Sequence, residues 1–159
     1  DGNGARTLDA VQPKEFSRAM AKISEATKLY TPAERVWDAI GRFADIDSWH
    51  PSVLSAETAG SENRPERHLD LGDTEKLVER LESHDDRAMR CRYSYRAGPL
   101  PVSDLTAELR VHPDDATSCT IHWSAELAPD DGTPRDQAVE EVRRFIRSGL
   151  DHLRFTLAG

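Results

Sequence analysis

Glu79 stands between Leu77 and Leu81 in an alternating stretch, which turns its carboxylate to the side of the two leucines. A carboxylate on an apolar face is costly unless it is paired, and without a partner it tends to hold its proton. Two readings follow. Glu79 is a pocket acid–base group, or it pairs with an arginine at the sheet edge or meets a hydrated cavity mouth. Tyr93 and Tyr95 share a face with Met89 and Cys91. Two phenols there can bind a ligand oxygen or donate a proton, or simply fill a core with their rings. Glu79 and Tyr93 are therefore the candidate catalytic groups. Trp123 falls on the apolar side of its strand and His122 on the other. His50, in the corner Trp49-His50-Pro51, reads as a hydrogen-bonded turn residue. The six histidines and two cysteines show none of the spacings of metal ligands, so no metal site is expected. The chain has neither a nucleophile elbow nor a phosphate-cradling glycine loop, and no cofactor is expected.

The elements that must position these residues come in an informative order. A first strand is predicted over 21–30, with Ile23, Thr27 and Leu29 on one face. Thr31-Pro32-Ala33-Glu34 then opens a helix, with Thr31 as its cap and Pro32 at its first position. That helix carries Val36, Trp37 and Ile40 on one stripe and stops at Gly41; a second short helix is predicted over 43–49. Strands are predicted over 52–58, 67–71, 76–83, 88–95, 103–111 and 117–127, with turns at Gly72-Asp73, His84-Asp85-Asp86 and Pro113-Asp114-Asp115. Thr133-Pro134-Arg135-Asp136 opens the last helix by the same capping logic, with Val142, Phe145, Ile146, Gly149, Leu153 and Leu157 on its stripe. Arg143, Arg144 and Arg147 on that helix read as a solvated face. An antiparallel sheet with one long helix must wrap its apolar face around that helix, and the space between them is where a function would sit.

Composition narrows the classes. A chain of 159 residues is one domain: a disordered tail over 1–14, with three Gly or Pro residues and no periodicity, then a single domain over 15–159. The net charge of −8 argues against nucleic acid or an anionic membrane as partner. No segment approaches the length of a membrane span and no secretory signal is evident, so a cytoplasmic location is expected. Cys91 and Cys119 fall on strands separated by a third, about 9–10 Å apart, too far for a disulfide, and read as buried free thiols. The protein is expected to be a monomer or weak homodimer.

The string from Tyr30-Thr31-Pro32-Ala33-Glu34-Arg35-Val36-Trp37 to Trp49-His50-Pro51 resembles the opening of the START-related, Bet v 1-like SRPBCC superfamily of polyketide cyclase/dehydrase-like proteins. Val78-Glu79-Arg80-Leu81, Gly98-Pro99-Leu100-Pro101 and the stretch from Phe145 to Leu153 resemble it too. The resemblance implies an α+β helix-grip fold: a seven-stranded antiparallel sheet curled around the C-terminal helix, with two short helices after the first strand. It implies a cavity for apolar or amphipathic molecules, since members include lipid carriers, hormone receptors and aromatase/cyclases. Laid on the abscisic-acid receptors, Leu71-Gly72-Asp73-Thr74 falls at their gate and Pro99-Leu100-Pro101 at their latch. Leu54 replaces their carboxylate-anchoring lysine, Leu100-Pro101 replaces the latch His-Arg pair, and Glu79 resembles a pocket glutamate. That alignment turns His122 inward, against the alternation, and a β-bulge would reconcile the two.

The expected function is binding of an apolar or amphipathic small molecule between sheet and helix. The alternative is a cyclase/dehydratase-type enzyme in which Glu79 or a tyrosine moves protons. The expected lining is Leu54, Glu79, Tyr93, Tyr95, Leu100, Leu105, Ala107, His122, Trp123, Phe145 and Gly149. Gly149, facing the sheet, is expected to leave room there.

Overall fold

Alternation builds the sheet strand by strand. In β6 (Val102–Asp115), Leu105, Ala107, Leu109 and Val111 are buried while Asp104 and Arg110 are exposed. In β7 (Ser118–Pro129), Ile121, Trp123, Ala125 and Leu127 are buried and His122 and Glu126 exposed. The computed structural model describes residues 20–157, so the expected tail over 1–14 lies outside the described residues. The remaining strands are β1 (Ala21–Leu29), β2 (Ser55–Gly60), β3 (Pro65–Asp70), β4 (Leu77–Asp85) and β5 (Arg90–Ala97). They join in one antiparallel sheet in the order β1-β7-β6-β5-β4-β3-β2. Helix α1 (Ala33–Ile40) and a 3-10 helix (Phe43–Ser48) follow β1, and α2 (Arg135–Thr156) closes the described chain. This is the helix-grip arrangement.

Helix α2 presents Ala138, Val142, Ile146, Gly149, Leu150 and Leu153 to the sheet, a stripe at helical spacing that packs on β1 and β7. Its arginines are not all solvated. Arg143 Nε and Arg147 Nη1 each donate to the Glu25 carboxylate of β1 at 3.2 Å, clamping the helix to the sheet edge. Neither helix is capped by the expected threonine: Pro32 and Pro134 occupy the cap positions, and no side chain bonds there. Thr31 instead donates its hydroxyl to the Leu157 carbonyl, supplying a partner to the unpaired end of α2 and fastening the β1–α1 corner to it.

Turns depart from expectation where strands run further than alternation suggested. β4 continues through Asp85, and the turn falls at Asp86–Met89. β6 continues through Asp115, because a bulge between Pro113 and Asp115 absorbs the proline that lacks a ladder donor. Gly72-Asp73 is part of a longer loop between Asp70 and Leu77 rather than a tight hairpin. Cys91 in β5 and Cys119 in β7 flank β6, buried and free, as expected. Among the described residues no helix is long and apolar enough to cross a membrane.

Candidate functional site

Three neighbouring strands and one short helix bring a polar centre into the grip. β3 turns Arg67 and Leu69 inward, β4 turns Leu77 and Glu79, and β5 turns Cys91 and Tyr93. Arg67 and Glu79 are direct cross-strand partners, and both are more than 95% buried. Arg67 Nε donates to Glu79 Oε1 at 2.8 Å, its Nη2 lies 2.8 Å from the same oxygen, and its Nη1 donates to the Phe43 carbonyl at 2.8 Å. The guanidinium also meets two rings that lie to one side of it, 4.2 Å from the Phe43 centroid and 4.7 Å from that of Tyr93, the two centroids being 6.3 Å apart. Weak hydration and a planar fork make arginine suited to such a site.

The electrostatics follow from burial. Loss of solvent raises the Glu79 carboxyl, and the Arg67 charge with its N–H bonds opposes that rise. Burial, reinforced by the nearby Glu79 charge, pushes the Tyr93 phenol far above its ordinary value, so it remains an O–H. Its oxygen accepts the Trp123 indole N–H at 3.0 Å. Glu79 is thus partnered rather than a lone pocket acid, but by an arginine buried on β3 inside the sheet and not by one at the sheet edge. Arg67 is the residue that the sequence reading missed. Its shared parity with Leu69 and Leu71, opposite the inward Glu79, was the available signal.

An aromatic cluster adjoins this centre. Trp49 lies 5.6 Å from Trp123, and Phe145 meets Trp123 edge-on at 5.9 Å and stacks on His50 at 4.0 Å. His50 is buried, as a structural turn residue should be, with Nε2 2.8 Å from the Phe145 carbonyl and Nδ1 accepting the Ser52 N–H at 3.1 Å. These partners require the neutral tautomer with its proton on Nε2. The Trp49 indole N–H is buried and has no hydrogen-bond partner among the described residues.

Burial lowers His50 from 6.5 to about 4, so its neutral form is favoured in the folded state. The unfolded chain therefore binds the additional proton between these values. The contribution is complete above pH 6.5 and is lost as pH falls toward about 4, roughly 3 kcal/mol in all. We expect His50→Gln to flatten the pH dependence of urea midpoints across that window. An unchanged slope would show that His50 titrates normally.

Other expected lining residues divide. Leu105, Ala107 and Trp123 are buried on the inner face of the sheet, and Phe145 is half-buried on α2. Tyr95 and Leu100 are half-buried at the end of the sheet where the β3–β4 and β5–β6 loops emerge, and Tyr95 donates its hydroxyl to the Gly98 carbonyl at 2.6 Å. Leu54 is 68% exposed just ahead of β2, where its N–H bonds to Asp70 O, so it does not line the interior. His122 is exposed, and β7 carries no bulge beside it, so alternation prevails over the receptor alignment. Gly149 leaves no room: an added Cβ would lie 2.7 Å from His50 Cδ2 and 2.9 Å from Trp123 Cζ3. Among the described residues no group of three or more His, Cys, Asp or Glu is arranged to hold a metal ion.

Comparison with known proteins agrees with this architecture. A family model described as polyketide cyclase / dehydrase and lipid transport matches residues 20–158. None of the curated proteins matches the chain. A solved protein of Thermobifida fusca is 30% identical, with a TM-score of 0.68 over 81% of this chain and 84% of that one. An uncharacterized protein of Bacillus thuringiensis is 25% identical, with a TM-score of 0.79 over 86% of this chain and 98% of its own. The Zhui aromatase/cyclase of a Streptomyces species shares the fold at 17% identity, with a TM-score of 0.69 over 84% of this chain and 91% of its own. On a match that spans the described chain, this protein belongs to the polyketide cyclase / dehydrase and lipid transport family.

Proposed function

We propose that the protein binds a small, largely apolar molecule bearing a hydrogen-bond-accepting oxygen, held in the grip between α2 and the inner face of the sheet. The observation that carries this reading is the Trp49 indole N–H, buried and unpaired among the described residues, beside the Trp123–Tyr93 hydrogen bond. Buried donors are nearly always paired, and a ligand oxygen would supply the missing acceptor. The walls suit an apolar body, since Leu105, Ala107, Leu109 and Phe145 offer few polar atoms. Half-buried Leu71 and Leu100, on the loops that leave one end of the sheet, and Tyr95, near the end of β5 beside them, are the side chains that would give way to admit it. Buried free Cys91 and Cys119 suit a reducing compartment and support a cytoplasmic location.

The test is a native mass spectrum of freshly purified protein. A mass in excess of the chain that is lost on denaturation supports a carried molecule. A bare chain that also fails to take up 2-acetonaphthone, an apolar aromatic ketone, contradicts the proposal. Trp49→Phe keeps a ring and removes the donor, and should weaken ketone binding by about one hydrogen bond, roughly 0.5–1.5 kcal/mol, without weakening naphthalene binding to the same extent.

A second reading, a cyclase/dehydratase-type enzyme, is favoured by one feature: Glu79 and Tyr93 lie together in an enclosed interior. With Tyr93 held as an O–H, it would act as the proton donor, and Tyr93→Phe should then lower turnover of a poly-β-ketone surrogate by about 10²–10⁴ with little change in its binding. Equal turnover in both proteins would remove that reading.

A further inference from the structure

A groove of about 710 Å3 opens between α1, the 3-10 helix and the β4–β5 hairpin, at the end of the sheet away from the β3–β4 and β5–β6 loops. Its floor is apolar, formed by Trp37, Phe43, Leu81 and Met89. Its rim is acidic: Glu34, Asp38, Asp45 and Asp86 all border it. We infer that this groove is a binding site for small organic cations, ammonium groups carried on an aromatic or short alkyl body.

The charge balance selects the occupant. Of the two basic residues on the rim, Arg42 has Nη1 3.9 Å from the Asp45 carboxylate, and His84 has Nε2 2.9 Å from the Gly41 carbonyl and 3.5 Å from the Asp86 carboxylate. Asp86 accepts the Trp37 indole N–H at 2.9 Å. Among the described residues Glu34 and Asp38, one turn apart on α1, form no ion pair. Their charges face the opening without compensation, on a chain that carries −8 in all. An anion, or the same groove of a second acidic copy, meets repulsion there. A cation is concentrated by the field, and its apolar body covers the floor.

Two local features keep the floor open. Met89 holds φ at +52°, a left-handed conformation that a glycine or asparagine would adopt more cheaply. The turn thereby places a flexible thioether side chain on the groove floor, a residue type that adapts to varied ligands. Gly41 packs so closely on Trp37 that an added Cβ would lie 2.5 Å from the indole Cε2. No side chain can therefore intrude from that position. The volume suits a ligand of modest size. This inference does not depend on the interior site, from which the Phe43 ring, lying over Arg67, separates it.

The experiment is a titration of 15N-labelled protein with benzyltrimethylammonium, benzyl alcohol and phenylacetate in low-salt buffer. The expected result is a saturable shift of the Trp37 indole N–H and of the Met89 amide with the cation alone. Glu34→Gln/Asp38→Asn should weaken that binding roughly 2–10-fold, as should raised salt. Met89→Gly, which suits the backbone at that position, should weaken it while the fold is retained. Alcohol or phenylacetate binding as tightly as the cation would overturn the inference. So would cation affinity that is unchanged in the double carboxylate variant, or shifts at Trp49 and Trp123 in place of Trp37.

Discussion

Replacing Arg67 with methionine is expected to destabilise the protein by about 3–5 kcal/mol, because Glu79 would be left buried without its counter-charge. The companion change matters as much. Arg67→Met/Glu79→Leu removes both charges and should recover most of that loss, since an apolar pair of similar size fits the same interior. Glu79→Gln, attractive as a conservative probe of chemistry, strands the guanidinium instead and should fall near the single arginine variant. Urea midpoints at constant slope measure all three. A single variant within about 1 kcal/mol of the parent would show that water reaches the pair and screens it. The buried pair is therefore weak evidence for stability in itself. Its geometry joins three segments, since the Arg67 guanidinium bonds Glu79 of β4 and the Phe43 carbonyl of the 3-10 helix and meets the Phe43 and Tyr93 rings.

Leucine at position 149 is expected to disrupt the grip. Even a methyl group there would meet His50 at 2.7 Å and Trp123 at 2.9 Å, and both are buried, with ring nitrogens already bonded. Ordinary overpacking costs about 1–3 kcal/mol, and a side chain of four carbons should exceed the upper end of that range. Gly149→Ala should fall within it. Thermal melts of the two variants would order them alanine above leucine, both below the parent. A parental melting temperature for Gly149→Leu would mean that the space under α2 is open there, as the sequence alone suggested.

That reversal illustrates what the sequence could and could not convey. Period-two alternation located both ends of β7 within two residues and the start of β6 within one, missed the last four residues of β6 beyond Val111, and decided correctly for Trp123 over His122. The helical stripe on α2 and the short helices after β1 were legible for the same reason: burial of one face imposes a period. Contacts between distant segments impose none. The stripe shows that Gly149 faces the sheet, but not that the His50 ring, from 99 positions earlier, lies against it. Glu79 was legible as inward, whereas its partner was hidden in β3, where Arg67 had been passed over as one residue of a short strand. Thr31 looked like a cap because its neighbours fit a capping pattern, yet its hydroxyl goes to the far end of the chain at Leu157. Leu54 was placed inside by alignment alone, and the turn ahead of β2 leaves it in solvent.

The three tryptophans offer the most direct test of an interior site, because each indole N–H reports a different environment. Trp37 is bonded to Asp86 in the outer groove, Trp123 to Tyr93 in the polar centre, and Trp49 is buried with its N–H unpaired among the described residues. The measurement is a 15N–1H titration of the indole resonances with 2-acetonaphthone. We expect a downfield shift of Trp49 as its N–H gains the ketone oxygen, a smaller change at Trp123, and none at Trp37. Saturable binding that leaves Trp49 and Trp123 unmoved would contradict an interior site.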